Sequence, residues 1–367
     1  MKISIGSKIV DGPWGGGNLF VKNLSNYLIN KGHKVIYDLS EPDINLILLT
    51  DPRSKRESSS TFNHIDINRY KKLVNSNVSV VQRINECDER KYTDYINRYY
   101  LEATNSADKV VFVSNWLEQI YLNLGLSSKK SKVILAGADL NIFNDTDSKT
   151  NIVNNEISIV THHWSSHENK GFDIYQKLDE LVKSPFNNFK LTFTYIGNTN
   201  QNYNLPNTKK ISPLAGKELA DELKKHHIYI TGSINEPSGN HHIEAAQCGL
   251  PILYRDSGGM PEYCNGFGVS FDEGNFEERL SNIIKDYEIY KSKLKKYPFN
   301  SNQMCDEFYY LFDDLVSKQN NSFKKNRISL KGKLFLYKNR LILIFRKYFS
   351  NNLRMINQKL KELVYKK

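Results

Sequence analysis

The sequence predicts an α/β protein with two parallel-sheet domains that face a central cleft, followed by a basic, amphipathic helical tail. Three observations lead to this fold class. Short apolar segments typical of strands alternate with helical segments, as a parallel sheet requires. The alternation stops at a polar, turn-rich stretch, residues 144–155, and then restarts. The length of 367 residues also favours two domains over one.

The first domain is expected to span residues 1–148. Runs of apolar residues predict its strands, over 2–10, 33–39, 43–50, 77–82, 109–113 and 132–135. Helical spacing of apolar residues predicts its helices, over 19–31, 88–106 and 114–124. Ser114 would cap the last of these helices.

The second domain is expected to span residues 149–301. Its strands are predicted over 157–161, 190–196, 227–230 and 251–254. Helices are predicted over 217–225 and 276–291, and a further helix over 302–318 follows the domain. In such sheets ligands bind beyond the carboxyl ends of the strands, so the cleft between the domains is the expected binding site.

The basic charge of the chain is concentrated in the tail. Residues 321–367 carry 14 of the 51 lysines and arginines but one of the 40 acidic residues, Glu362. Apolar residues after residue 324 fall at spacings of three and four, so one helix face would be apolar and another cationic. This pattern predicts that residues 324–367 bind an anionic membrane surface. Nucleic acid is a weaker alternative because the aliphatic content suits acyl chains better, and packing on a partner chain is a further one.

Other sequence features predict a cytoplasmic location at the inner face of the plasma membrane. The chain begins with a strand-like segment and shows no secretory signal. No apolar run approaches the roughly 18–20 residues that a membrane-spanning helix needs. The four cysteines lack metal-type spacing and are expected to be reduced thiols.

The most informative segment, residues 232–246, joins a predicted strand to a predicted helix. Glu236 and Glu244 lie eight positions apart, one before the helix start and one inside the helix. Gly239 permits close backbone approach, and the free N–H groups that follow suit a phosphate. One carboxylate could therefore bind sugar hydroxyls while the other binds ribose hydroxyls, on either side of a diphosphate.

This segment resembles the E-x7-E signature of family-4 retaining glycosyltransferases of the GT-B fold. Cys-Gly-Leu-Pro-Ile at 248–252 and Gly-Gly-Met-Pro-Glu at 258–262 are similar to two further motifs of that family. The resemblance covers about residues 1–318. It implies two Rossmann-like domains, the first for the acceptor and the second for the donor, with helix 302–318 packing back on the first.

The activity that the resemblance implies is transfer of a hexose-type sugar from a nucleotide diphosphate sugar to a hydroxyl of a glycan. The acceptor is expected to be lipid-linked, in bacterial cell-surface polysaccharide biosynthesis. Glu236 would bind the sugar, and Glu244 the ribose. The groups implied at the diphosphate are the amides of Gly239, Asn240 and His241, the loop at Gly16 and Gly17, and Lys170.

One position departs from the family pattern. The family has an arginine about five residues before the phosphate-binding lysine, but residues 161–167 of this chain read Thr-His-His-Trp-Ser-Ser-His. His163 or a residue of the first domain would have to replace that cation. These histidines lack the spacing of a metal site. We therefore expect no metal and no cofactor.

The acceptor is expected to contact residues 82–91, which follow a predicted strand of the first domain. Asn85 or Glu86 could orient the acceptor hydroxyl as a catalytic group, and Arg90 or Lys91 could hold an acceptor phosphate. A solvated helix start rich in acidic residues is an equally good interpretation. Two other functions stay open: a nucleotide-sugar epimerase or phosphorylase on the same fold, and a non-catalytic module that tethers glycan enzymes to a membrane or nucleic acid.

Overall fold

The computed structural model describes residues 1–10, 15–53, 60–148, 151–320 and 328–344. Within these ranges, two parallel six-stranded sheets form the centres of two lobes. Lobe one contains the sheet of residues 2–133, and lobe two contains the sheet of residues 156–271. This arrangement confirms the predicted pair of α/β sheets.

Lobe one has the strand order β2-β1-β3-β4-β5-β6, with every neighbouring pair parallel. Its strands are β1 (Lys2–Ile5), β2 (Lys34–Ile36), β3 (Leu46–Leu49), β4 (Ser79–Ile84), β5 (Lys109–Phe112) and β6 (Ser131–Val133). Its helices are α1 (Gly15–Asn30), α2 (His64–Leu73), α3 (Asp88–Lys91), α4 (Ile96–Ala103) and α5 (Asn115–Asn123). β3 and β4 are buried along their whole length, as the central strands of a sheet covered on both faces must be.

Lobe two has the strand order β12-β11-β10-β7-β8-β9, again entirely parallel. Its strands are β7 (Glu156–His163), β8 (Lys190–Gly197), β9 (Lys209–Ile211), β10 (Ile228–Thr231), β11 (Ile252–Arg255) and β12 (Gly268–Phe271). Its helices are α6 (Phe172–Leu181), α7 (Gly216–Leu223), α8 (Asn240–Gln247), α9 (Met260–Cys264), α10 (Phe276–Lys285) and α11 (Tyr287–Leu294).

The last helix of this series returns from lobe two to lobe one. α12 (Ser301–Asn320) buries Phe308 and Phe312 in the same apolar cluster as β1 and α1, where the ring of Phe308 lies 5.1 Å from that of Phe20. The chain therefore crosses between the lobes twice.

Two predicted helices are broken in the structure. The prediction of one helix over 88–106 is wrong because Tyr92 adopts a left-handed conformation, with φ of 55°, and ends α3. The predicted helix over 276–291 is likewise divided at Asp286 into α10 and α11. α2 is a helix that the apolar pattern misses, although Asn63 and Asp66 form a complete capping box at its start.

Part of the tail forms a helix on lobe one. Residues 330–344 are helical, and Phe335 and Leu336 pack against the apolar cluster that contains Tyr70 of α2. Gly332 passes so close to α2 that a Cβ there would lie 2.2 Å from the carbonyl oxygen of Leu73. Residues 321–327 and 345–367, also predicted to be part of the amphipathic tail, lie outside the described residues. Among the described helices, none has the length and apolarity to cross a membrane.

Candidate active site

A buried carboxylate, Glu236, lies between two cations from different lobes. Lys170 of lobe two places its Nζ 2.5 Å from Oε2 of Glu236, and Arg90 of lobe one places its Nε 3.2 Å from Oε1. Burial acts to raise the pKa of Glu236, but Arg90 and Lys170 outweigh it and lower that pKa to about 2. Glu236 is therefore ionised across the physiological pH range.

Close backbone packing holds Lys170 beside Glu236. Gly171 has a φ of +89°, and a Cβ at this position would lie 2.3 Å from the backbone of Gly232. Glycine at 171 and 232 thus lets the loop after β7 touch the loop after β10. The loop after β11 contacts the same residues, because the Gly259 N–H donates a hydrogen bond of 2.9 Å to the carbonyl oxygen of Glu236.

Glu86 extends the charged group on the lobe-one side. Nη1 of Arg90 lies 3.0 Å from Oε1 of Glu86, and Nζ of Lys91 lies 3.2 Å from Oε2. The group formed by these two glutamates, Arg90, Lys91 and Lys170 has three positive and two negative charges. Its net positive charge, at the meeting point of the lobes, suits an anionic ligand.

The start of α8 adds a second feature that favours an anion. Gly239, with a φ of +70°, precedes the helix, and no acidic residue occupies the first turn. Free N–H groups at Asn240 and His241 therefore carry the positive end of the helix dipole. Across the cleft, Gly16 lies so close that a Cβ there would be 3.1 Å from the Asn240 side chain, whereas Gly17 has open space.

Glu244 is buried one turn further along α8. Its Oε2 lies 3.0 Å from Nε2 of His162, which follows the apolar part of β7. The structure thus places both glutamates of the predicted E-x7-E pair on lobe two, with Glu236 before α8 and Glu244 inside it. The α8 N-terminus lies between them in the chain.

Two of the buried histidines behind this site, His163 and His241, are held neutral by burial. His163 bonds through Nε2 to the Tyr175 hydroxyl at 2.6 Å, and His241 bonds through Nε2 to Oγ1 of Thr231 at 3.0 Å. Burial lowers the pKa of each ring well below its ordinary value. His163 therefore does not provide the cation that the sequence lacks at this position, and Arg90 stands near that place instead.

The predicted acceptor residues lie at the end of β4, opposite lobe two. The Asn85 side chain is partly buried and makes no hydrogen bond to a residue that the structure describes, so its amide is available to a ligand. Glu86 and Arg90 are paired within the charged group, while Lys91 is more exposed. Among the described residues, no cluster of histidine, cysteine or acidic side chains has the geometry of a metal site.

Several residues that join the lobes were not predicted from the sequence. The Asn169 amide donates to the Arg90 carbonyl, and the Asn235 amide donates to the Glu89 carbonyl over 3.1 Å. Glu262 accepts hydrogen bonds from the first N–H groups of α5. Of these residues, only Glu262 belongs to a motif that the sequence analysis identified, Gly-Gly-Met-Pro-Glu at 258–262.

Comparisons with known proteins agree with this architecture. Residues 192–298 match the family described as Glycosyl transferases group 1. The chain is 28% identical over 112 residues to the phosphatidylinositol N-acetylglucosaminyltransferase gpi3 subunit of Schizosaccharomyces pombe. That match spans 28% of this chain and 25% of the relative, so it compares one segment of each protein.

Solved structures match almost the whole fold. Sucrose-phosphate synthase from Thermosynechococcus elongatus has a TM-score of 0.64 at 16% identity, covering 86% of this chain and 99% of that one. Anabaena Alr3699/HepE in complex with UDP and glucose has a TM-score of 0.63 at 15% identity, covering 86% of this chain and all of that one. The chain therefore has the two-lobed GT-B fold, and residues 192–298 of it match the Glycosyl transferases group 1 family.

Proposed function

We propose that this protein is a retaining glycosyltransferase that moves a sugar from a nucleoside diphosphate sugar to a hydroxyl of a glycan acceptor. The observation that carries the proposal is Glu236, held between Lys170 and Arg90 beside the N-terminus of α8. The family match over residues 192–298 supports transfer of a glycosyl group. HepE, which shares the fold, forms a complex with UDP and glucose, and this makes UDP the first nucleotide to test.

The donor diphosphate would bind between α8 and the two cations. Glu244 would bind the ribose hydroxyls, and Glu236 the hydroxyls of the transferred sugar. As the bond between the anomeric carbon and the diphosphate oxygen breaks, negative charge grows on that oxygen. Lys170, Arg90 and the helix N–H groups stabilise this charge because they are already oriented and largely shielded from water. The acceptor hydroxyl attacks from the same face, and its proton passes to the departing diphosphate.

The acceptor would lie against the end of β4, on lobe one. Asn85, with its unused amide, would orient the acceptor hydroxyl, and Glu86 would help to position it. Lys91 would face a charged group of the acceptor. Arg90 lies against Glu236, so we assign it to the donor diphosphate in place of the acceptor phosphate that the sequence suggested. None of these roles requires a metal ion or another cofactor.

Titration calorimetry with UDP, GDP and ADP tests the proposal. We expect one of them to bind, and the same nucleotide to stabilise the folded protein by about 2.7 kcal/mol at a hundred times its Kd. Glu244→Gln should weaken nucleotide binding, whereas Glu236→Gln should spare nucleotide binding and abolish sugar transfer. Glu168→Gln, at an exposed glutamate two residues before Lys170, is the matched control. Failure of all three nucleotides to bind would refute the proposal.

Product analysis separates the alternatives. An epimerase would convert the donor sugar without any acceptor, and a phosphorylase would release a sugar phosphate when inorganic phosphate is the acceptor. A non-catalytic tether would bind membranes or nucleic acid but leave every nucleotide sugar intact. Retention is read from the anomeric configuration of the product by NMR.

We also propose that the protein binds the cytoplasmic face of the plasma membrane through its tail, where a lipid-linked acceptor in surface-polysaccharide synthesis would be found. On helix 330–344, one stripe of apolar side chains points away from lobe one. Its members are 60–75% exposed: Leu330, Leu334, Tyr337 and Ile344. Exposed basic residues on the same helix accompany them: Lys331, Lys333, Lys338 and Arg340. Such a face suits an anionic membrane interface, where each basic residue adds about 1 kcal/mol of attraction.

Co-sedimentation with vesicles of phosphatidylglycerol and phosphatidylcholine tests the membrane proposal. Leu334→Glu should reduce vesicle binding, because it places a carboxylate in the apolar stripe. Ile289→Glu is the matched control, since Ile289 is exposed to a similar degree on lobe two. Equal binding by both variants would contradict the proposal. Binding of duplex nucleic acid that Leu334→Glu leaves unchanged would favour the nucleic-acid alternative.

A further inference from the structure

Arg83 is a buried cation without a charged partner. It precedes the last residue of β4 and is 6% exposed. Within the part of the chain that the structure describes, its side chain makes no ion pair and no hydrogen bond. Burial lowers the pKa of Arg83 to about 10, so the guanidinium stays charged at neutral pH. Proteins seldom bury a charge without pairing it, because desolvation is costly.

The guanidinium lies under the first turns of α1. Its central carbon is 4.0 Å from the ring centroid of Phe20, so the flat face packs on the ring while the N–H groups around its edge have no partner in the described structure. α1 has sixteen residues and no acidic residue in its first turn. The N–H groups of its first turn have no partner among the described residues, and they add positive potential to that of Arg83.

This position is on the lobe-one wall of the cleft. Gly16, in the first turn of α1, approaches Asn240 of lobe two. Tyr263 of lobe two is also near enough for its hydroxyl to act electrostatically on Arg83. The acidic residue closest along the chain, Glu86, is engaged by Arg90 and Lys91. Arg83 and the start of α1 therefore both contribute positive potential at this position. No carboxylate among the described residues pairs with either of them.

The donor diphosphate does not need Arg83. On the proposed function, that diphosphate is already matched by Lys170, Arg90 and the start of α8. An anion at Arg83 would then belong to the second substrate, which binds on lobe one.

The sequence assigned Gly16 and Gly17, in the first turn of α1, to the donor diphosphate. We propose instead that Arg83 and the N-terminus of α1 bind an oxyanion carried by the acceptor, so that the enzyme selects negatively charged acceptors. The inference rests on the proposed function. The oxyanion could be the phosphate of a lipid-linked sugar or the carboxylate of a uronic acid, since both present oxygen pairs that fit the edge of a guanidinium.

Calorimetry on protein saturated with UDP tests the inference, with pyrophosphate and D-glucuronate as the two probes. UDP fills the donor site, so a probe that still binds must occupy a second site. We expect at least one probe to bind the full chain. Arg83→Gln should weaken that binding about ten- to hundredfold, as loss of a charge-assisted contact does, and Arg83→Lys should weaken it less. Arg98→Gln, at an exposed arginine of lobe one, should bind like the unaltered protein.

The binding results distinguish the two kinds of acceptor and also test the inference itself. Binding of pyrophosphate alone points to a phosphate-bearing acceptor, and preference for glucuronate points to an acidic glycan. If UDP binds but neither probe does, or if Arg83→Gln binds both probes normally, the inference is wrong while the proposed function stands. If UDP itself does not bind, the proposed function fails first.

Thermal unfolding distinguishes this role from a structural one. An arginine retained for a ligand contributes a desolvation cost to the folded state, so Arg83→Gln should melt at the same temperature or higher. A marked drop in melting temperature for both Arg83→Gln and Arg83→Lys would show that the residue serves folding, and would overturn the inference.

Discussion

A single arginine changes how this site is assembled. In the family that the sequence resembles, the second cation of the phosphate clamp lies on the same loop as the lysine. In this chain that loop has no arginine, and Arg90 approaches Glu236 from the other lobe. On the proposed function, the phosphate clamp would need both lobes in contact, so we expect donor binding to favour this arrangement of the lobes.

Replacing Arg90 tests this arrangement. Arg90→Gln should lower kcat/KM for the donor by about ten- to hundredfold, the usual effect of losing a charge-assisted contact. Arg90→Lys should restore only part of the activity, because a compact ammonium lacks the planar, widely spaced N–H groups with which the guanidinium reaches both Glu86 and Glu236. The measurement is donor turnover, with Arg69→Gln at an exposed arginine of α2 as control. Unchanged kcat/KM in Arg90→Gln would show that the clamp does not use this residue.

Residue spacing explains which parts of the site were predictable. Glu236, Gly239 and Glu244 lie close together in the sequence and on one lobe, so a short motif is enough to place them together. The contact between Arg90 and Glu236 joins two lobes and depends on how these close, which no local pattern reports. The neutral state of His163 was equally hidden, because it results from burial beside Tyr175.

At the level of elements, a side chain of α9, in lobe two, caps the N-terminus of α5, in lobe one. Oε2 of Glu262, on α9, lies 2.8 Å from the Asn115 N–H, and Oε1 lies 2.8 Å from the Trp116 N–H. These are the first N–H groups of α5, which otherwise lack partners, and the carboxylate also complements the helix dipole. Ser114 caps the same helix end from within its own lobe, as the sequence predicted.

Removing the Glu262 carboxylate should weaken this contact between α9 and α5 and so destabilise the folded protein. Glu262→Ala is expected to lower the free energy of unfolding by about 1 kcal/mol, the typical worth of a helix cap. Urea denaturation measures the change. Glu288→Ala, an exposed acidic residue in the first turn of α11, should change it by less than about 0.5 kcal/mol. Equal effects of the two substitutions would mean that the contact between the lobes adds nothing to stability.

The elements that the sequence misplaced have two different physical causes. Asp88 to Ser106 has helical periodicity, yet the Asp88 side chain accepts hydrogen bonds from the N–H groups of Ile96 and Asn97 and starts a new helix there. Periodicity reports which face is buried but not where a polar side chain interrupts the backbone hydrogen bonds. α2 was missed for the opposite reason: it is short and largely polar, with a capping box as its clearest signal.

For the whole molecule, the buried histidines of lobe two make stability depend on pH. Burial is the main cause of the lowered pKa of His163, His226, His241 and His242. An unfolded chain binds protons at these rings near pH 6.5, whereas the folded chain does not. Stability is therefore fully present above about pH 6.5 and is lost as pH falls below it.

His226 isolates this effect because it lies away from the cleft. Its Nδ1 is 2.9 Å from the Glu222 carbonyl oxygen, and its Nε2 is 3.0 Å from the Thr194 hydroxyl, so the neutral ring has a partner at each nitrogen. Burial lowers the pKa of His226 to about 4. Between pH 6.5 and 4, this one ring should reduce the free energy of unfolding by up to about 1.4 kcal/mol for each pH unit.

His226→Asn is the decisive variant, since its amide can still donate to the Glu222 carbonyl but does not titrate. We expect the variant to be less stable at pH 7.5, where the lost packing dominates, and to lose stability more slowly than the unaltered protein as pH falls from 6.5 to 4.5. Urea unfolding at several pH values measures both slopes. His33→Asn, at a partly exposed histidine of lobe one, should change the slope less, because that ring is less buried. Parallel stability curves for His226→Asn and the unaltered protein would mean that the ring already binds its proton in the folded state, which its two hydrogen bonds and its burial argue against.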